Sequence, residues 1–374
     1  MACVLRPAPL PKGSAIALLA RIKGWLRRRP LTETAPAAAP QPGRARGRVD
    51  HVVILDGTLS SLDPGHETNA GLAWRLLSGG GPRPGRTIYY EEGIQWQGWR
   101  RGLDILQGRG IEGQIARAYG HLASHYRAGD RIYLFGYSRG AYAVRSLAGM
   151  IGRMGLLRQE AALERNIRQI WRHYRRDPAS PAALALKARA CHAVAPVEMV
   201  GLWDTVAALG LRLPLLWMLT EKNHAFHDMA LGSHVRHGFH ALALDETRAV
   251  FAPVLWSTQG QGQTAGGAGN VEQVWFRGAH ADIGGQLGGF EAARPLSNIP
   301  LVWMLDRAEA AGLDLPPGWR NRFPCDPSAP CIGTWRGWSL LFLLRRRRRP
   351  GRDPSERLHE SVPASARARW PKPG

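Results

Sequence analysis

The stretch RIYLFGYSRGAYAVRSLAGMIG, residues 131–152, constrains the fold more than any other. An apolar run ends in Gly-x-Ser-x-Gly, and a segment with helical spacing follows at once. A strand that turns within one residue into a helix cannot pair back on itself as a hairpin. It belongs to a parallel sheet covered by helices. In such a turn the serine hydroxyl is exposed at the carboxyl edge of the sheet. The glycines two residues before and two residues after it let neighbouring backbone pass close.

The rest of the chain repeats the alternation. HVVILDGT (51–58), RTIYY (86–90), RIYLF (131–135), PVEMVGLWD (196–204) and VEQVWFRG (271–278) read as strands. Residues 111–127 read as a helix with Ile115, Ala118, Tyr119 and Leu122 on one face, and 157–190 as a charged helical block. The expected fold is therefore α/β, α/β-hydrolase-like, with a mostly parallel sheet and helices on both faces. The expected organisation is a basic Pro/Ala/Arg-rich tail and linker over 1–48, a hydrolase domain with helical insertions over 49–344, and a basic segment over 345–374.

Charge supports that division. The formal net charge is +21 over 374 residues, of which 1–48 carry +9 and 345–374 carry +7. The body is nearly balanced, so nucleic acid is not the expected partner. An anionic membrane surface reached through the tails remains a candidate partner. Segment 14–29 could lie on such a surface, and the apolar clusters 213–219 and 338–344 read as core or as a lipid-facing patch. No apolar run approaches the roughly 18–20 residues that span a bilayer. No clear signal peptide opens the chain. The expected location is cytoplasmic, exported without a classical signal peptide, or peripheral on a membrane. Cys3, Cys191, Cys325 and Cys331 read as free thiols, although Cys325 and Cys331 are close enough in sequence to bridge.

A serine nucleophile needs a base, and the base needs an orienting acid. Asp204 ends the strand PVEMVGLW, and His280 follows the strand VEQVWF, so both fall at strand ends in the order serine, acid, histidine. Asp282 is the alternative acid. The N–H of Arg139, directly after Ser138, is one expected oxyanion donor. The loop after Asp56 offers a second, from Gly57, Thr58 or Leu59. His224, His227, His234, His237 and His240 raise zinc, but with no nearby cysteine and no His-Glu-x-x-His the expectation is no metal and no cofactor. Gly80 to Thr87 imitates a P-loop, yet it opens a strand rather than a helix. VILDGT imitates an aspartyl phosphotransferase loop, yet Ile54 stands where the nucleophile would be.

Taken together, VVILDGT, GDRIYLFGYSRGAYAVRSLAGMI, GLWDTV, HALALDETRAVFAP, VWFRGAHADIGG and LHESV resemble the bacterial α/β-hydrolase domain family that includes the phospholipase effectors of type VI secretion. The resemblance spans about residues 50–362. It implies a Ser138–Asp204–His280 triad, an acyl-enzyme intermediate, and an ester or phospholipid substrate. The first loop departs from the family's Asp-Gly-Thr-x-Asn, reading DGTLSS. The competing expectation is a catalytically silent hydrolase fold that binds anionic membrane or nucleic acid through its basic tails. The sequence sets no oligomeric state.

Overall fold

The computed structural model describes residues 32–33, 46–81, 83–93, 109–206, 230–258, 270–335 and 344–367. The segment 14–29, the apolar clusters 213–219 and 338–343, and His224 and His227 lie outside the described residues.

An eight-stranded sheet organises the fold, in the order β1-β3-β2-β4-β5-β6-β7-β8. The strands are β1 (Thr32–Glu33), β2 (Asp50–Leu55), β3 (Arg86–Glu91), β4 (Arg131–Tyr137), β5 (Val197–Trp203), β6 (Val235–Ala243), β7 (Asn270–Phe276) and β8 (Glu356–Leu358). Every neighbouring pair is parallel except β1 with β3.

Both faces are covered, which explains the near-continuous apolar strands. Side chains alternate across the pleat. Val53, Leu55, Leu134 and Val200 face a layer formed by α2 (Arg109–His125), α3 (Arg139–Met154), α4 (Glu164–Arg176) and α5 (Pro181–Ala190). Val52, Ile54, Phe135 and Met199 face the other layer, formed by α1 (Asn69–Ser78) and α7 (Arg294–Ala310). The charged block 157–190 is thus two helices, and α5 restarts with Ser180 as its N-cap and a proline in the first turn.

The structure differs from the sequence expectation in three places. Residues 235–243 form β6, a strand hidden by their histidines. His237 and His240 belong to it, and its last seven residues pair with all of β7. The expected linker contributes the short β1 against β3. Over its described residues the 345–374 segment does not stand apart from the α/β domain. Residues 344–367 are folded onto it, with β8 beside β7 and a last turn of helix, α8 (Ala364–Arg367). Glu356 explains the anchoring. Its carboxylate accepts from the backbone N–H groups of Gly351, Arg352 and Asp353 and from the Trp275 indole.

Register brings the strand ends level. Leu55 pairs with Gly136, Tyr137 with Trp203, Trp203 with Ala241, and Ala243 with Phe276. The loops after β2, β4, β5, β6 and β7 therefore gather at one edge, the carboxyl edge where open α/β sheets place their sites.

Candidate active site

Ser138 lies between β4 and α3 with φ 57° and ψ −118°, a conformation that L residues seldom adopt. The strain persists because the surroundings determine it. Ser138 N donates to Trp203 O at 3.0 Å, and β4 pairs with β2 over 131–136 and with β5 over 132–137. The flanking glycines are obligatory. A Cβ on Gly140 would lie 2.1 Å from Leu55 O, and one on Gly136 would lie 2.7 Å from Ala141 N. Helix α3 approaches the sheet at van der Waals limits only because those atoms are absent.

His280 begins α6 (His280–Gly284), directly after β7. Its Nε2 is 2.8 Å from Ser138 Oγ, and its Nδ1 is 2.6 Å from Asp204 Oδ2. Asp204 follows β5 at φ 44° and is fully buried. The ring is held on both flanks. Phe251 stacks on it with centroids 4.8 Å apart, and Tyr137 lies 5.0 Å away. His280 N donates to Glu246 Oε2 at 3.1 Å, and Glu246 is itself paired with Arg248 at 2.6 Å. On the far side, the Asn69 amide donates to Ile283 O and Ser297 O, both at 2.9 Å, tying α6 to α1 and α7.

The sequence left two acids open, and the fold separates them. Asp282 Oδ2 accepts from Ala279 N at 2.8 Å and its Oδ1 from Ile332 N at 2.7 Å. It shapes the loop that carries His280, while Asp204 meets the imidazole.

Asp204 has another partner. Arg348 forks onto it, with Nη1 2.5 Å from Oδ1 and Nη2 2.8 Å from Oδ2. Burial alone would push the Asp204 carboxyl up. The Arg348 charge and the hydrogen bonds from His280 and Arg348 outweigh it and hold the group well below the usual carboxylate range. Nothing in the sequence signals this. Five successive arginines read as part of a basic segment for an anionic surface, and the partner lies 144 residues away. Glu246, Arg248 and Phe251 were also missed, though they fall inside HALALDETRAVFAP.

The oxyanion side needs one correction. The N–H of Gly57 donates to Asp56 Oδ1 at 2.6 Å, so it is not available to a substrate. The Asp56 carboxyl also accepts from Thr68 Oγ1 at 2.6 Å and Tyr90 OH at 2.7 Å. Burial pushes it up to about 6 even so. That network fixes the loop beside the serine, since a Cβ on Gly57 would come within 3.4 Å of Ser138 Cβ. Thr58 and Leu59 follow, the latter at φ 59°. Arg139 opens α3, and a first-turn N–H has no intrahelical acceptor. Burial lowers the Arg139 guanidinium to about 10.

Two of the placed histidines have structural partners. His240 Nε2 accepts from Thr205 N at 3.1 Å, and His234 Nε2 lies 2.8 Å from Ala148 O. Among the described residues no three His, Cys, Asp or Glu side chains cluster as a metal site would require. Cys191, Cys325 and Cys331 are free thiols.

A parallel sheet with helices on both faces and a strained serine turn at its carboxyl edge is the α/β-hydrolase-like architecture. Within that class, this chain belongs to the family described as "T6SS, phospholipase effector Tle1-like, catalytic domain", whose model matches residues 50–307. A Saccharomyces cerevisiae protein described as uncharacterized protein YEL023C is 29% identical over 232 residues, 55% of this chain and 32% of that protein. A crystal structure of an uncharacterized Pseudomonas aeruginosa protein is 15% identical with a TM-score of 0.41, over 75% of this chain and 49% of that one. The Tle1 effector, in a structure with the VgrG spike from the type 6 secretion system, is 18% identical with a TM-score of 0.35. That match covers 69% of this chain and 57% of the effector. The chain therefore spans about a third of the curated relative and about half of these solved chains.

Proposed function

We propose that this chain is a serine hydrolase of carboxylic esters, a lipase or phospholipase with a Ser138–His280–Asp204 triad. The observation that carries the reading is the continuous hydrogen-bonded line Oγ–Nε2 and Nδ1–Oδ2, at 2.8 and 2.6 Å, at the carboxyl edge of the sheet. Membership in a family of phospholipase effector catalytic domains supports a lipid ester as the substrate class.

In this reading His280 Nε2 takes the Ser138 proton as Oγ attacks the ester carbonyl carbon. Asp204 holds the imidazole tautomer and stabilises the imidazolium that forms. The tetrahedral oxyanion accepts from Arg139 N–H and from the loop N–H of Thr58 or Leu59; one such donor is worth about 10²–10³ in rate. Collapse breaks the bond to the alcohol oxygen, which leaves with the proton from His280. Water then attacks the acyl-serine, giving its proton to His280; the bond to Oγ breaks, Ser138 takes that proton back, and the acid is released.

The test is fluorophosphonate labelling of wild type and Ser138→Ala, followed by turnover on a panel of glycerophospholipids. Labelling and release of fatty acid in wild type alone is the expected result. Labelling that persists in Ser138→Ala would sink the assignment. The competing, catalytically silent reading would be favoured by wild type that neither labels nor releases fatty acid.

A further inference from the structure

The C-terminal arginine run passes directly behind the acid of the triad. Leu344 O accepts from Ala249 N at 3.0 Å, and Arg346 N donates to Thr247 O at 2.6 Å. Arg345 forms an isolated antiparallel bridge with Arg248 and donates to Thr334 O at 2.8 Å. Beyond the run, Glu356 gathers the backbone of 351–353 and pairs the segment with β7. Between these two anchors Arg348 points inward. Its side chain is 4% exposed against a carboxylate that is fully buried.

The guanidinium fork is held from both sides. Nη1 also donates to Ala243 O at 2.9 Å, and Nη2 to Phe251 O at 2.5 Å. One cation therefore links the end of β6, the loop whose phenyl ring stacks on His280, and the Asp204 carboxylate. A planar fork can satisfy both carboxylate oxygens together, which an ammonium cannot.

We propose that Arg348 is a positioning residue of the triad, keeping the Asp204 carboxylate ionised and aimed at His280. The C-terminal segment is on this view a working part of the site. The inference rests on the hydrolase reading above for its kinetic consequences, although the ion pair itself does not.

The charge logic has a definite sign. A buried carboxylate without a cation binds a proton more readily. An imidazole beside a carboxylate that has lost its cation also binds one more readily. Removing Arg348 therefore raises the pH at which a proton is gained there, whichever of the two sites receives it. The other titratable or charged groups near the pair are His240, Tyr137, Glu246 and Arg248. Burial keeps His240 neutral, lowered to about 3, and raises Tyr137 far above its working range. Glu246 and Arg248 are paired with each other.

The experiment compares Arg348→Met, Arg348→Lys, Asp204→Asn and the Asp204→Asn/Arg348→Met double variant in the full chain. The kinetic probe is p-nitrophenyl butyrate. The activity-independent probe is 15N NMR of the His280 ring through a pH titration. In Arg348→Met, kcat should fall about 10²-fold, the scale of a displaced catalytic group, with KM within about twofold. Both the acidic limb of kcat/KM and the His280 titration should move up in pH. Arg348→Lys keeps the charge without the fork and should recover part of the rate with the limb in place. Arg348→Met should cost little more in the Asp204→Asn background. A folded Arg348→Met with unchanged limb and titration, or losses that multiply in the double variant, would overturn the proposal. If Arg348→Met does not fold, Arg348→Gln takes its place, and an unchanged limb and titration in that variant would overturn the proposal. Wild type that cleaves no ester would defeat the hydrolase reading, while the NMR titration would still decide the role of Arg348.

Discussion

Ser138 and Asp204 stand at the ends of adjacent strands, yet different forces hold them. The serine corner is made of backbone. Two glycines, one strained residue and the pairing of β4 with β2 and β5 define it, all within ten residues of sequence or one strand away. The acid corner is made of side chains and long-range bonds. Asp204 is held by His280, by Ala243 N at 2.9 Å and by Arg348, from three separate segments. A backbone-built corner tolerates change in side chains that leave its sterics alone. An electrostatic corner depends on every member, because each buried charge is compensated by another.

The largest effect should come from the serine corner. Ser138→Ala should lower kcat about 10⁶-fold, as removal of a triad nucleophile does, with the melting temperature kept, read by turnover and thermal unfolding. Loss of the fold in that variant would break the picture of a backbone-built corner.

Asp204→Asn should cost about 10⁴-fold in kcat, through the wrong imidazole tautomer. Asp282→Asn should instead show its effect in stability, since its oxygens cap backbone N–H groups. A larger rate loss from Asp282→Asn than from Asp204→Asn would reverse the assignment of the acid.

Asp204→Ala sharpens the contrast further. It leaves Arg348 buried beside no counter-charge and should destabilise the chain by about 3–5 kcal/mol, measured by chemical denaturation. The same linkage sets a pH dependence. The Asp204 carboxyl is held below its unfolded value, so its contribution is present above about pH 4 and is lost as pH falls towards the folded value. Asp204→Ala should therefore flatten the acid side of the stability curve.

Gly140→Ala should cost about 1–3 kcal/mol by overpacking, because its Cβ would meet Leu55 O and Asp56 O. The smallest effect should come from exposed arginines of the C-terminal run. Arg346→Gln with Arg347→Gln should leave p-nitrophenyl butyrate turnover within about threefold, while weakening binding to anionic vesicles by about 1 kcal/mol per charge. Loss of soluble-ester turnover in that double variant would mean the run acts as a block rather than through Arg348.

Legibility in the sequence follows the same division. The turn at Ser138 was readable because its requirements are contiguous: an apolar run, small residues at two set positions, a helical period. Asp204 and His280 were readable as residues that end strands. β6 was missed because VRHGFHALA scatters polar side chains through a strand buried over most of its length, where no alternation survives. β8 has three residues and no pattern of its own. Of Gly57, Thr58 and Leu59, the three donors offered for the oxyanion, Gly57 gives its N–H to the preceding aspartate.

By itself the sequence determined five strands of the parallel sheet, their alternation with helices, and the residues delivered to the carboxyl edge. Those follow from short-range sterics and from periodicity, which act over a few residues. Which acid meets His280, which group takes the Gly57 N–H, and which cation balances Asp204 were decided only by tertiary structure. The energy of a buried charge depends on what surrounds it, and Arg348 meets Asp204 from 144 residues away in a segment that β8 pairs with β7.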